Sequence, residues 1–222
     1  PALGLRAVRL CLREPALFWP QLRAIIRASA YGPIRMMVPM LSSVEEVHQV
    51  LDIVRTIHSD FRRRGIAYDA DMPIGGMIEV PAAAVCADVF ARELDFLSIG
   101  TNDLIQYAVA IDRVNDEVNY LYDPLNPGVL RLIETTIAAG REAGIPVAMC
   151  GEMAGDTRYT RLLIGLGLEE FSVHPAALLE IKHIINSTSA ANSRNIAMEF
   201  LNVVDASRRE ELLSELQTPP RH

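Results

Sequence analysis

The sequence predicts an α/β protein built around a parallel β-sheet, and three observations lead there. Short apolar runs alternate with longer stretches of helical periodicity along most of the chain, which is the pattern of repeated βαβ units. Gly, Pro, Ser and Asp punctuate the boundaries, where strands stop and helices start. Half of the 222 residues are hydrophobic but only 6% are aromatic, which suits an α/β core of Leu, Ile, Val and Ala. The length allows one large domain or two small ones.

The elements follow in order. IRMMVPM, residues 34–40, reads as a strand. The helix over 41–65 carries Val44, Val47, Leu51, Val54 and Phe61 on its apolar face. Ser42 and Ser43 each have a Glu three residues on, the capping-box spacing, and Gly65 stops the helix. IGGMIEV, 74–80, is the next strand, and Pro81 opens the helix after it. The third strand covers 94–100. Thr101, Asn102 and Asp103 follow it before a short helix, where Asn102 or Asp103 is either a helix cap or a functional group at the mouth of the sheet. A loop leads to the helix over 129–144. PVAMC, 146–150, is the fourth strand, and the helix over 156–167 takes Asp156 as its cap. EFSVHP, 170–175, is the fifth strand, and a helix begins near Pro175. From Ala190 the chain reads as a polar helical tail, frayed over 216–222. RAVRL, 6–10, is a possible sixth strand. The predicted organisation is therefore a barrel-like or open-sheet unit over 1–189 and a helical tail of the same domain over 190–222.

A formal charge of −7 argues against a nucleic-acid partner. No apolar run approaches the ~20 residues of a membrane span, and no secretory signal pattern is present. Cys11, Cys86 and Cys150 are an odd set without metal-ligand spacing, which fits a reducing, cytoplasmic setting. The chain starts at Pro1 rather than Met, so a longer parent protein is expected.

The polar residues fall where the strands end. Glu79 closes the second, Asn102 and Asp103 follow the third, Cys150 and Glu152 close the fourth, and His174 closes the fifth. Parallel strands point one way, so these residues gather on one rim. A charge at a buried strand end costs several kcal/mol unless paired or metal-bound. Two carboxylates on one rim repel each other, and a divalent cation resolves the repulsion. Hard oxygen ligands favour Mg2+, with Mn2+ as the alternative. Arg6 and Arg113 are candidates for holding an anionic substrate. Arg62, Arg63 and Arg64 read as a solvated helix end, and His48, His58 and His183 as ordinary helix residues. Cys150 reads either as core or as a weak acid at the rim. His174, next to Pro175, reads as a helix-start residue.

Two architectures fit this alternation: an open doubly wound sheet and a (β/α)8 barrel. No G-x-G-x-x-G follows a strand, which weakens the dinucleotide-binding form of the first. In both, active sites sit at the carboxyl ends of the strands.

GGMIEVPAAA, DFLSIGTNDLIQYAVAIDRVND, LYDPLNPGVLRLI and MCGEMAGD closely resemble the phosphoenolpyruvate-binding domain of Enzyme I, the phosphoenolpyruvate–protein phosphotransferase of the bacterial sugar phosphotransferase system. The resemblance covers nearly the whole chain. GTNDL and CGE also occur in pyruvate phosphate dikinase and phosphoenolpyruvate synthase, whereas IQYAVAIDRVND favours Enzyme I. The resemblance implies a (β/α)8 barrel. It implies magnesium ligands at Glu79 and Asp103, phosphoenolpyruvate contacts from Arg6, Asn102, Asp103 and Arg113, and a proton donor at Cys150. It implies transfer of the phosphoryl group to a histidine in a separate N-terminal domain. It further implies a histidine-containing phosphocarrier protein downstream. An open barrel would leave two unpaired edges and exposed interior side chains, so a homodimer is expected. Five clear strands against the eight of a closed barrel predict that this chain begins inside the barrel and is inactive by itself. The alternatives are a dikinase- or synthase-type domain, a magnesium-dependent lyase or aldolase of the same superfamily, and a non-catalytic dimerisation or ligand-binding module.

Overall fold

A computed structural model describes residues 2–217. Two helices come first, α1 (Ala7–Arg13) and α2 (Pro15–Ala28). Next are β1 (Met36–Val38), α3 (Val44–Arg64), β2 (Ile74–Ile78), α4 (Pro81–Val85) and α5 (Ala87–Glu93). β3 (Phe96–Gly100), α6 (Thr101–Ala108), α7 (Pro127–Ala143) and β4 (Val147–Cys150) follow. Then come α8 (Glu152–Gly155), α9 (Thr160–Leu166), β5 (Glu170–Phe171) and α10 (Leu178–Asn186). α11 (Ala190–Asn202) and α12 (Ala206–Gln217) close the described part. No helix among the described residues is long and apolar enough to cross a membrane.

The five strands form one sheet in the order β1-β2-β3-β4-β5, every pair parallel. A doubly wound sheet reverses its strand order at a switch point. This one does not, so its right-handed crossovers place the helices on one face, as in a barrel. Ile74, Ile78, Leu97, Ile99, Val147 and Met149 are buried under those helices. Gly75, Met77, Phe96, Ser98, Ala148 and Cys150 alternate onto the inner face. Gly75 faces Phe96 across the register, and a Cβ on it would lie 2.4 Å from that ring.

The sheet curls. Arg35, just before β1, lies 3.9 Å from Glu170 of β5. Four flat strand spacings of ~4.8 Å would set those strands about 19 Å apart, beyond the reach of the two side chains. The result is a partial (β/α) barrel, and among the described residues β1 and β5 are its two open edges.

Local chemistry explains most boundaries. Glu46 accepts from the Ser42 and Ser43 backbone N–H groups at 2.6 and 3.1 Å, fixing the start of α3. Gly65 ends it with φ +64°. Three expectations need correction. RAVRL is helical: Val8 is buried with Cys11 and Leu12 packed beside it, a helical rather than alternating spacing. Asp156 does not cap α9, which starts four residues later. Its carboxylate is taken by the backbone N–H and guanidinium of Arg158. The segment after Ala190 is amphipathic rather than polar, burying Ala197, Phe200, Leu201, Leu212 and Leu216. Of the segment expected to fray, Leu216 and Gln217 belong to α12, and residues 218–222 lie outside the described part.

Candidate active site

The register sets Glu79, Gly100 and Cys150 level with one another. Ile78 pairs with Ile99, and Gly100 pairs with Cys150. Gly100 stands between the two functional side chains and carries none of its own. A Cβ there would lie 2.7 Å from Glu79 Oε2 and 3.0 Å from Met77 Sδ. The glycine therefore makes room for Glu79 to lean across β3. Cys150 Sγ lies 3.7 Å from Met77 Sδ, one layer down on the same inner face.

α6 grows directly from β3, and its first turn carries Asn102 and Asp103. Neither is the N-cap, which is Gly100. Thr101 Oγ1 donates to the Cys150 carbonyl at 3.0 Å, tying the ends of β3 and β4 together. Gly151 follows at φ +92°, where a Cβ would lie 2.4 Å from Thr101 Oγ1 and 2.9 Å from Asn102 Oδ1. That oxygen accepts from the Glu152 N–H at 2.9 Å and the Tyr122 hydroxyl at 3.4 Å. With its oxygen engaged, Asn102 offers its amide N–H groups to anything at the rim. One of them reaches Glu152 Oε1 at 3.4 Å.

Asp103 collects both candidate arginines. Arg6 Nη2 lies 3.5 Å from its Oδ2, and Arg113 Nη2 lies 3.8 Å from its Oδ1. Arg6 comes from the turn before α1 and Arg113 from the loop after α6, so neither lies in a strand. Gln106 Oε1 accepts the Arg113 backbone N–H at 3.0 Å and anchors that loop. Among the described residues three non-glycine residues have positive φ: Ala7, Met40 and Ala110. Ala7 follows Arg6, and the Met40 N–H donates to Glu79 Oε1 at 2.7 Å. Ala110 leads into the Arg113 loop. Such backbone costs of order 1 kcal/mol or more each and gathers where geometry must be held. His174 keeps to the start of a helical turn, its Nδ1 accepting the Ala176 N–H at 3.2 Å.

The charges act on one another. Burial pushes the Glu79 carboxyl above its usual range. The Asp103 charge adds to this, while the Met40 N–H and the two arginines pull the other way. Burial likewise raises the Cys150 thiol, with the negative charges of Glu79 and Asp103 in support and the Ser98 hydroxyl opposing. Burial, with the Glu152 charge in support, pushes Tyr122 up to about 12, so its O–H stays a donor.

Two converging carboxylates, Glu79 with its proton affinity raised and seated against the bare Cα of Gly100, and Asp103 beside it, are a donor set that fits a hard divalent cation. Among the described residues no group of three or more His, Cys, Asp or Glu could hold an ion by itself. A cation at Glu79 and Asp103 would thus complete its shell with water or substrate oxygens, as Mg2+ does.

Over residues 1–190 the sequence matches the family described as "PEP-utilising enzyme, PEP-binding domain". The chain belongs to that PEP-binding domain family. Among curated relatives, the phosphoenolpyruvate-protein phosphotransferase of Cupriavidus necator is 49% identical over 219 residues, covering 99% of this chain and 37% of the relative. That of Staphylococcus epidermidis is 45% identical over 214 residues, covering 96% and 37%. The chain thus spans less than two-fifths of the length of these relatives. Among solved structures, a citrate lyase from Burkholderia xenovorans superposes with a TM-score of 0.53 at 18% identity, covering 93% of this chain and 72% of that one. It shares the fold.

All six residues singled out from the sequence of this PEP-binding domain lie on or beside its carboxyl-end rim. Arg6, Asp103 and Arg113 are in contact, Glu79 and Cys150 are level on either side of Gly100, and Asn102 precedes Asp103. The sequence reading missed the residues that hold them: Met40 through its N–H, Met77, Ser98, Tyr107 and Tyr122. Of these only Tyr107 has a legible cue, standing four residues after Asp103 on the same helix face.

Proposed function

We propose that the chain is the phosphoenolpyruvate-binding part of a longer phosphotransferase, which moves the phosphoryl group of phosphoenolpyruvate to a histidine of another domain and releases pyruvate. The observation that carries this is the convergence of Glu79, Asp103, Arg6, Arg113 and Cys150 on one rim of a PEP-binding domain. Arg6 and Arg113 would meet the phosphate and carboxylate oxygens as planar donors. Asn102 would add its amide N–H groups. Glu79 and Asp103 would hold Mg2+ or Mn2+, which when bound offsets charge on the substrate oxygens.

In this reaction the bond between phosphorus and the enol oxygen breaks as the histidine nitrogen bonds to phosphorus. Donors fixed around the phosphoryl group stabilise the charge that spreads over its oxygens. The departing electron pair leaves an enolate. Its terminal carbon takes the Cys150 proton to give pyruvate, and solvent reprotonates the thiolate. The elevated proton affinity of Cys150 suits this, because the S–H form persists at neutral pH. We further assign the parent to the cytoplasm and to a phosphotransferase system, with a histidine-containing phosphocarrier protein as acceptor and a homodimer as the working state.

The test uses the enzyme that contains this chain. Phosphoenolpyruvate-dependent labelling of the phosphocarrier and pyruvate release are followed with Mg2+ present. Glu79→Gln and Asp103→Asn are each expected to lower both by about 10²-fold or more. Full activity in either variant, or none in the unaltered enzyme, overturns the proposal.

A further inference from the structure

Arg6 has two partners on α6, and only one of them is charged. Its Nη2 reaches Asp103, and its Nη1 lies 3.3 Å from the Tyr107 hydroxyl. Asp103 and Tyr107 are one helical turn apart, so a single face of α6 presents both to the same guanidinium. The Tyr107 hydroxyl donates its proton to the Ala2 carbonyl at 2.5 Å. Met40 Sδ, 4.0 Å away, is a far weaker acceptor. A hydroxyl has one proton, so toward Arg6 the oxygen can only accept.

We infer that Tyr107 is a positioning residue for Arg6: its oxygen, with the proton committed to Ala2, holds the guanidinium at the substrate rim. The inference rests on the proposed role of Arg6 in binding phosphoenolpyruvate. A neutral acceptor does here what a carboxylate cannot. Were Asp103 to hold a cation, its pull on Arg6 would weaken, while the Tyr107 bond would remain and leave the positive charge whole for the substrate. The backbone is shaped to match. Arg6 is extended and Ala7 turns to φ +49°, aiming the side chain at α6. Tyr107 also lines a cavity of about 500 Å³ whose wall is apolar at Leu3, Met40, Val80 and Ile111 and polar at Arg9 and Asp112. Its aromatic ring therefore has a packing role, which must be separated from that of its hydroxyl.

Tyr107→Phe keeps the ring and removes the acceptor. In the enzyme that contains this chain, the KM for phosphoenolpyruvate is expected to rise about tenfold, the loss of one hydrogen bond to a charged group, with kcat within about twofold. In an Arg6→Ala background the same change is expected to move KM less than about twofold. A second readout needs no turnover. Phenylglyoxal modification of Arg6 in the ligand-free protein, mapped by peptide mass, is expected to run several-fold faster in Tyr107→Phe (about threefold or more for one lost hydrogen bond). Unchanged KM, the full effect persisting without Arg6, or unchanged Arg6 modification each overturns the inference. An unaltered enzyme that does not accept phosphoenolpyruvate overturns the proposed function instead, and the modification experiment still decides Tyr107.

Discussion

Cys150 carries a thiol whose proton is hard to remove, walled by Met77 and Ser98 and facing two carboxylates. If it is the acid that protonates the enolate, Cys150→Ala separates two steps. Pyruvate formation is expected to fall about 10²–10⁴-fold, the usual worth of a positioned acid, while phosphoryl transfer to protein in a single-turnover rapid-quench experiment falls far less. Equal loss of both removes the role. His58 gives a prediction of another kind. Burial, and secondarily the Arg62 charge, hold its imidazole below its ordinary pKa of 6.5. Its ring lies tilted against Tyr68 with centroids 4.6 Å apart, and its buried Nε2 has no hydrogen-bond partner among the described residues. The unfolded chain takes the proton more readily, so this contribution to stability is present above pH 6.5 and is lost as pH falls from there toward the depressed value. His58→Phe is expected to show a smaller drop in Tm between pH 7.5 and 5 than the parent chain, and an equal drop refutes this. At this scale the sequence is most informative about residues whose position alone is diagnostic. Glu79, Asp103 and Cys150 stand at strand ends, which marked them as rim residues, although Glu152 and His174 share that position and Cys150 also fitted the core. The spacing from Asp103 places Tyr107 on the right helix face, but its role was not legible because it depends on a carbonyl 105 positions away in the chain.

α9 and α11 meet through a glycine. A Cβ on Gly165 would lie 2.3 Å from the Ser193 carbonyl oxygen and 2.7 Å from Ala197 Cβ. Nearby, the Arg161 guanidinium donates to the Leu216 and Gln217 carbonyls at 3.3 and 3.1 Å, capping the end of α12. Arg209 donates to the Leu125 carbonyl at 2.6 Å and so ties α12 to the end of the loop that carries Arg113. The last two helices are therefore packed structure. Gly165→Leu is expected to cost about 1–3 kcal/mol by overpacking. Urea denaturation measures it, and limited proteolysis should show new cleavage over 190–217. Unchanged stability and cleavage would refute the close approach. Sequence periodicity recovered the strands and α3 because each has one clear period and a firm stop. It failed at α1, where Ala7, Val8, Leu10, Cys11 and Leu12 form a nearly continuous apolar run that fits a strand and a helix alike. Nothing was assigned to α2, whose two prolines hide the spacing of Phe18, Leu22 and Ile26. It treated α11 and α12 as solvated because their apolar faces are narrow.

Strand order is a property of the whole molecule, and no local period encodes it. Alternation alone left the curled sheet and the doubly wound sheet equal, and only the resemblance chose between them before β1-β2-β3-β4-β5 was seen. The same order has a physical consequence. Five parallel strands curl without closing, so β1 and β5 each leave a row of backbone donors and acceptors unpaired among the described residues. Met37 faces the inside of the curl and is 41% exposed, where a closed barrel would cover it. Leu178 and Leu179, at the start of α10, the next helix after β5 in the chain, are 51% and 79% exposed. Exposed edges and apolar side chains of this kind drive association. The isolated 222-residue chain is therefore expected to self-associate. Light scattering should give a mass above that of the monomer, falling only on strong dilution. The same preparation is expected to release no pyruvate from phosphoenolpyruvate, because a substrate bound at this rim would have walls on one side only and would lack the acceptor histidine proposed for another domain. The two measurements are independent. A monomer that stays monomeric over the full concentration range would mean that the open edges are already protected. Pyruvate release above background would mean that five strands suffice to build the site.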